Sequence, residues 1–423
     1  MILRRTGLVL VLGLTAGLAA PQSALALSLP EAIARAQNTN PGLAQSRAQS
    51  DVADARLAEA RAGRLPSLIL SGEAGEGRTD LGGFFGFGRS DVSPRAAALQ
   101  LSQPLFTGGA VSAAIARARA GRDATLAQVG GAKALLAAQA AEAYVAVLSA
   151  REILGLNEAQ VRQMGEIARQ AELRFKGGET ARTDVAQARA RLAGARAGLA
   201  RAQGDLARAH AHFVSVVGAE PEGLEPLASP PDIPTSLDEA MALALKSNPT
   251  LLAAQAQARA AQAGVRYAQA ERFPSLALTA TASSARDQFL PGYQADGVTV
   301  GVQGRWTLFA GGAINGRVGA ARAGARGAQF GVVAAQAQVR EAVVGAWADI
   351  GTARAVADAA SDQAAAAEAA LESVRHEVRV GQKPTLDQLD AEREVLAARS
   401  AVIAARGEAI VASYRLDALL QGG

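Results

Sequence analysis

The chain has 423 residues, a formal net charge of +4, three histidines and no cysteine. The lack of cysteine excludes disulfides, thiolate metal sites, cysteine nucleophiles and a lipidated N-terminal cysteine. Aromatic residues make up only 4%, too few for a large globular core, whereas the abundant Ala, Arg, Gln and Glu suit long, closely packed helices.

Residues 1–26 read as a secretory signal: Arg4-Arg5, an apolar run from Gly7 to Ala20, then Ala24-Leu25-Ala26 as a small-x-small cleavage site. A retained membrane helix is the alternative, but the apolar run is short for one. Cleavage removes two arginines and no acid, leaving 41 basic against 39 acidic residues and a net charge of +2. So neutral a surface argues against nucleic-acid binding. The mature chain has no run of 18 or more apolar residues, so any entry into a membrane must be by strands.

Leu29 to Gly63 has a helical pattern, opened by Ser28 with Glu31 three positions on and Pro30 in the first turn, and punctuated by Asn40-Pro41. Leu65-Pro66-Ser67-Leu68 stops the helix and begins a strand. Leu68, Leu70, Gly72 and Ala74 alternate with Ser67, Ile69, Ser71 and Glu73. A Gly-rich tip from Gly72 to Gly88 carries Phe84, Phe85 and Phe87, and a second strand is expected from about Arg95 to Phe106. Each strand has the roughly 9–11 residues that cross a bilayer when tilted. Leu105-Phe106-Thr107-Gly108-Gly109-Ala110 then reads as a strand-to-helix junction, because paired glycines let the backbone turn without a Cβ penalty. A helical run follows to about Lys176, Gly177-Gly178 breaks it, and Thr180 to Val217 forms another helix.

After a Pro-rich connector at 218–235 the sequence starts again, so that 27–217 and 236–423 are read as two structural repeats. Ser236-Leu237-Asp238-Glu239-Ala240 matches Ser28 to Ala32, Asn248-Pro249 matches Asn40-Pro41, and Phe273-Pro274-Ser275-Leu276 matches Leu65 to Leu68, all at an offset of 208. Beyond the strands the offset is 203, with Leu308-Phe309-Ala310-Gly311-Gly312-Ala313 on the first junction and Trp347 on Tyr144. One offset on each side of a single loop is a strong sign of duplication. The run from Gly109 to Lys176 spans roughly 100 Å, and those at 29–63 and 180–217 roughly 50–55 Å each; two short helices end to end match one long one. Helical glycines such as Gly130, Gly131, Gly194 and Gly198, each costing about 1 kcal/mol against alanine, suit places where helices pack closely.

In the second half Val298, Val300, Val302, Trp306 and Leu308 face one way, and Thr299, Gln303, Arg305 and Thr307 the other. Four strands cannot close a barrel and open edges are not tolerated in lipid, so several chains must pool them; three copies would give twelve strands. Two soluble hairpins packed on a helix bundle are the alternative.

At this point the whole mature chain resembles the TolC family of outer-membrane efflux proteins. The carriers are the twofold repeat, the Asn-Pro and Pro-Ser-Leu signals, the Leu-Phe-x-Gly-Gly junctions, and two turns. These turns are Arg174-Phe175-Lys176-Gly177-Gly178 to Thr183-Asp184-Val185, and Gly381 to Leu386-Asp387-Gln388-Leu389-Asp390-Ala391. The resemblance implies a mainly α fold with transmembrane β: a homotrimer whose long coiled-coil helices form an α-barrel in the periplasm and whose strands form a shared 12-stranded β-barrel in outer-membrane lipid. It implies docking to a periplasmic adaptor protein and an inner-membrane pump of the ABC or RND type, with no cofactor, no nucleic-acid partner and no catalysis. It also implies that Asp387 and Asp390 form an acidic ring at the periplasmic gate. Thr183, Asp184 and Lys383 match polar groups that link neighbouring coils. Val378 departs from the pattern, standing where the best-known members have a tyrosine bonded to the position of Asp184.

Read from the residues alone, Pro384 suits the first helical position, with Asp387 in the first turn and Asp390 three residues on along the same face. Such carboxylates also merely complement a helix N-terminus. His210 and His212 are two apart and fall on different helix faces, which disfavours a metal pair. The run Gly82 to Gly88 lacks the context of a phosphate loop, and no nucleophile elbow, P-loop or zinc-protease motif occurs. Tyr144 and Trp347 read as packing residues. Within the resemblance, the lack of a lipidation cysteine disfavours the lipoprotein branch that often serves dedicated drug pumps, which makes type I protein secretion or multifunctional efflux the favoured cargo class. The alternatives are a dedicated small-molecule drug or metal channel served by a proton-driven pump, and a pore-less periplasmic coiled-coil adaptor.

Overall fold

The computed structural model describes residues 27–80, 82–83, 88–226, 230–288 and 290–420. The expected signal segment 1–26 and Phe84, Phe85 and Phe87 lie outside them. In chain order the elements are α1 (Leu29–Thr39), α2 (Pro41–Ala62), β1 (Ser67–Ala74), β2 (Gly77–Asp80), β3 (Arg89–Val92), β4 (Arg95–Phe106), α3 (Ala110–Lys176) and α4 (Arg182–Val217). Then come α5 (Leu237–Ser247), α6 (Pro249–Ala270), β5 (Ser275–Arg286), β6 (Gln294–Arg305), α7 (Ala313–Arg379) and α8 (Thr385–Leu420). Helix lengths repeat in order: 11, 22, 67 and 36 residues in each half.

The Asn-Pro signals join helices as well as separate them. Asn40 Oδ1 accepts from Gly42 N at 2.9 Å and Leu43 N at 3.3 Å, capping α2, while its amide donates to Val216 O at the end of α4. Asn248 does the same for α6 and donates to Leu419 O at 3.0 Å, near the end of α8. The preceding hydroxyls, Thr39 and Ser247, donate to Val217 O and Leu420 O. Pro at the first helical position needs no N–H partner, so Asn-Pro starts one helix and satisfies the orphan carbonyls that finish another. The columns flanking α3 and α7 are therefore α2 with α4 and α6 with α8. The single run expected over 29–63 bends at Asn40, and α1 packs beside α3 and α4.

The main sheet has the order β1-β4-β5-β6, all antiparallel. Its register lines up whole rows across four strands. Leu68, Leu101, Ala280 and Val300 form one row, and Leu70, Leu99, Ala282 and Val298 another, on the same face. Between them lies the row Ile69, Gln100, Thr281 and Thr299, with Ser67, Ser102, Thr279 and Gly301 beside it on the opposite face. One face is thus apolar and the other mostly hydroxyl-lined, and both are exposed in the single chain, with Leu70 at 75% and Val298 at 78%.

Two details differ from the sequence reading. The stretch 72–88 is not all loop: β1 continues to Ala74, and β2 and β3 then form a separate two-stranded ribbon. Arg78 pairs with Asp91 at 2.7 Å and Asp80 with Arg89 at 3.4 Å directly across it. These charged cross-strand pairs hold a ribbon that has no apolar alternation to announce it. Trp306 and Leu308 lie beyond β6, because its partner among the described strands, β5, begins at Ser275 opposite Arg305. Trp306 instead donates its indole N–H to Arg272 O at 3.1 Å, fastening the junction to the end of α6.

The helices bury a thin core of alanines with a few large anchors. Tyr144 is fully buried against Phe213, ring centroids 6.3 Å apart, and its hydroxyl lies 2.7 Å from Leu27 O and 2.8 Å from Glu225 O. Burial pushes its phenol up from the ordinary tyrosine range. Trp347 is partly buried in the corresponding cluster of α5, α7 and α8. Among the described helices only α3 is long and apolar enough to cross a membrane by length and composition, and 44% of its most apolar 18-residue window is buried.

Close packing explains some helical glycines. A Cβ on Gly131 would lie 3.1 Å from Pro249, one on Gly198 2.9 Å from Asn157 Oδ1, and one on Gly407 2.7 Å from Val145 Cγ1. Gly194 meets nothing within 4 Å in the chain, so close packing does not account for it there. Gly407→Ala is accordingly expected to cost about 1–3 kcal/mol through overpacking of α8 on α3. Gly194→Ala is expected to be neutral or to gain up to about 1 kcal/mol from helix propensity. Thermal unfolding followed by helical ellipticity checks the pair; equal midpoints for the two variants would refute this packing account.

Candidate functional site

The expected gate residues gather where α3 turns into α4 and α7 into α8. Both helices stop in the same way. Gly178 and Gly381 adopt φ of +78° and +79°, Glu179 N donates to Arg174 O, and Gln382 N donates to Glu377 O, so left-handed glycines let late helical carbonyls find partners. A cleft of about 290 Å³ lies between the two turns, with Gln163, Thr180, Asp184, Arg375, Val378 and Gln388 in its walls.

Each polar group has a definite place. Asp184, in the first turn of α4, accepts from the Thr180 hydroxyl of its own turn. Val378 is buried in the wall of the same cleft. A local threonine thus holds the carboxylate that the resemblance assigns to a tyrosine. Thr183 is exposed. Lys383 pairs with Glu377 at 2.8 Å within its own turn. That hydrogen bond and charge, with Asp387 adding attraction, keep its ammonium above the ordinary lysine range. On α3, Arg169 and then Gln170 hold Glu166 down at about 2. The contribution of Glu166 is therefore intact above pH 4.5 and lost as pH falls toward 2.

Asp387 and Asp390 sit on the first two turns of α8, which begins at Thr385, so that Pro384 immediately precedes the helix. Leu389 between them is 2% exposed and packs into the cluster of Met164, Ile167, Val185 and Ala188 from α3 and α4. This anchor fixes the rotation of α8 and hence the direction of both carboxylates. Asp390 is paired with Arg191 of α4 at 2.8 Å, which half-neutralises it in this conformation. Sequence reading missed this pair, which spans 199 positions, and also missed Glu392. Only 6% exposed, Glu392 Oε1 accepts from Arg375 Nε at 3.0 Å and Nη2 at 2.6 Å, and from Gln163 at 3.3 Å. Glu392 therefore ties α8 to α7 and α3 two residues beyond Asp390.

At the other end, Gly108, Gly109, Gly311 and Gly312 all have positive φ, +61°, +92°, +57° and +86°, and each pair leads directly into its long helix. Among the described residues no group of three or more His, Asp or Glu could hold a metal ion. His210 and His212 both lie on α4.

Residues 32–219 and 240–422 match the sequence pattern of the family described as Outer membrane efflux protein. Outer membrane efflux protein BepC of Brucella suis biovar 1 is 32% identical over 397 residues, covering 93% of this chain and 85% of that protein. Two solved folds are similar at lower identity. The outer membrane protein VceC of Vibrio cholerae has a TM-score of 0.78 at 22% identity, covering 93% of this chain and 96% of its own. The open state of the Neisseria gonorrhoeae MtrE outer membrane channel has a TM-score of 0.74 at 22% identity, covering 93% and 89%.

Proposed function

This chain belongs to the outer membrane efflux protein family, and we propose that three copies of it build one exit duct for cargo delivered by an inner-membrane pump through a periplasmic adaptor. The single observation that carries the reading is the open four-stranded sheet. Its rows are apolar on one face and hydroxyl-lined on the other, and β1 and β6 are left with unpaired edges. Lipid tolerates the apolar face but not the edges. Pairing β1 of one copy with β6 of the next removes every edge and turns the hydroxyls toward a water-filled lumen. The helical columns, stacked through Asn40 and Asn248, continue that lumen into the periplasm. The family is one of transport proteins, and family membership together with the strands displaces the pore-less adaptor reading.

The hairpin tips are the periplasmic entrance, with Asp387 and Asp390 facing the axis and Thr183, Asp184 and Lys383 on the turns that meet neighbouring coils. Thr180 and Glu377 of the same turns hold Asp184 and Lys383 in place. Because Arg191 already compensates Asp390, Asp387 carries most of the cation affinity. Asp387→Ala is expected to raise the half-blocking concentration of a divalent cation about tenfold, roughly 1.4 kcal/mol. Asp390→Ala is expected to have a smaller effect. Planar-bilayer recordings measure both, and block unchanged by Asp387→Ala removes it from the ring. Protein secretion or multifunctional efflux is the cargo class that we favour. The decisive test is crosslinking in intact cells from a site beside Gly381. Capture of an ATP-driven exporter with its adaptor supports secretion, and capture of a proton-driven pump supports small-molecule efflux. Capture of neither, with control crosslinks working, overturns the tripartite reading.

A further inference from the structure

The two ends of the apolar band differ in chemistry. At the helix end the junctions expose aromatic side chains: Phe106 at 45%, Trp306 at 59% and Phe309 at 88%. Such residues form a girdle at one membrane interface. At the far end, the face that carries Leu70 and Val298 continues into the row Ala74, Arg95, Arg286 and Gln294. This row sets two arginines directly opposite each other on β4 and β5, the central strands of the sheet. Like charges in that position are destabilising on their own. Arg286 is compensated by a bidentate pair with Asp296, both contacts 2.9 Å. Arg95 is exposed and makes no ion pair among the described residues.

The height of this row is set by the strand. Ten steps of β5 separate Leu276, opposite Phe106, from Arg286. At about 3.3 Å per residue and a tilt of about 40°, that is roughly 25 Å along the membrane normal. An outer-membrane apolar band has the same height, so the arginine row stands at the opposite interface from the aromatics. The β2–β3 ribbon, which follows Ala74 and precedes Arg95, and the described residues between Arg286 and Gln294 lie beyond it, away from the helices. It therefore faces the outer leaflet, whose glycolipid headgroups carry phosphate.

We propose that Arg95 and Arg286 form a binding site for a phosphate group of the outer-leaflet glycolipid. The free guanidinium of Arg95 supplies a two-pronged donor, and Asp296 holds Arg286 beside it. This gives the juxtaposition of the two arginines a use: Asp296 already offsets Arg286, and the anion supplies the counter-charge that Arg95 lacks. Neither residue lies on a sheet edge, so the site is complete within one chain. The proposal rests on the outer-membrane placement of the strands.

The test uses the full-length protein purified from outer membranes in mild detergent. Bound glycolipid is quantified by native mass spectrometry, and rebinding is measured from phosphatidylcholine bicelles containing bisphosphorylated lipid A or its dephosphorylated form. Wild type is expected to retain the phosphorylated lipid about tenfold better than Arg95→Gln or the triple variant Arg95→Gln, Arg286→Gln, Asp296→Asn. The double lysine variant should fall between, since it keeps charge but loses the fork. Heat-modifiable migration reports barrel assembly separately, so a failure of the barrel is distinguished from a failure of the site. Equal retention by assembled wild type and variants overturns the proposal. Equal binding of the two lipid forms by wild type does so too, even if no variant assembles. Complete competition by inorganic phosphate would assign the site to the free anion instead and also overturn it.

Discussion

Gly108→Ala is expected to abolish the heat-modifiable trimer, while Gly311→Ala, its twin in the second repeat, retains most of it. Both positions need φ near +60°, which costs an L-residue roughly 1–2 kcal/mol. Only Gly108 adds a collision. A Cβ there would lie 2.6 Å from Ala270 O and 2.8 Å from Phe273 Cβ, whereas one on Gly311 meets nothing within 4 Å in the chain. Ala270 O cannot yield freely, because it accepts from Phe273 N in the turn that leads α6 into β5. Moving that turn disturbs the register of β5 on β4 at Leu276 and Phe106. Added strain of about 1–3 kcal/mol on top of the backbone cost is enough to disfavour strand pairing. Outer-membrane yield and unheated gel migration measure the difference. Equal behaviour of the two variants would falsify this account of the first junction.

That asymmetry marks how far the sequence could be read. Alternation and the paired glycines fix β4 to its residues and place both junctions, because these features are written in local order. The equal helix lengths follow from a duplication visible as constant offsets. Contacts between distant segments leave no such trace. Asn40 and Asn248 read as punctuation, yet their amides also close α4 and α8 from 176 and 171 positions away. The β2–β3 ribbon has no apolar period to reveal it, only charges that become informative once paired. Asp390 and Glu392 look alike in an acidic first stretch of α8. Burial and the partners Arg191 and Arg375 make one a half-exposed ion pair and the other a buried tie. The gate role proposed for Asp387 and Asp390 comes from resemblance, since two carboxylates near a helix start fit a simple dipole contribution equally well.

Arg375→Ala is expected to loosen the entrance more than any change to the aspartates. Glu392 is nearly fully buried and depends on Arg375 for two of its three hydrogen bonds, the third coming from Gln163 at 3.3 Å. Removing one partner of a buried ion pair typically costs about 3–5 kcal/mol because the other charge is left uncompensated. The side chain of Arg375 is 43% exposed, so water screens part of that, and about 2–3 kcal/mol is the expected loss. The loss falls first within one hairpin, where α8 meets α7, and it reaches α3 through the Gln163 contact of Glu392, so it favours conformations in which α8 loosens from both neighbours. Single-channel conductance should rise and thermal stability should fall together. Glu392→Gln keeps an acceptor for Arg375 and should cost about 1 kcal/mol. The double variant Arg375→Met, Glu392→Leu removes both charges at similar volume and should restore stability nearly to wild type. If it also restores the low conductance, the pair acts as a mechanical tie; if conductance stays high while stability returns, the arginine itself is what narrows the entrance. An Arg375→Ala channel with unchanged stability and conductance would show that Glu392 does not depend on Arg375, and the hold on α8 would have to be sought at the Leu389 anchor instead.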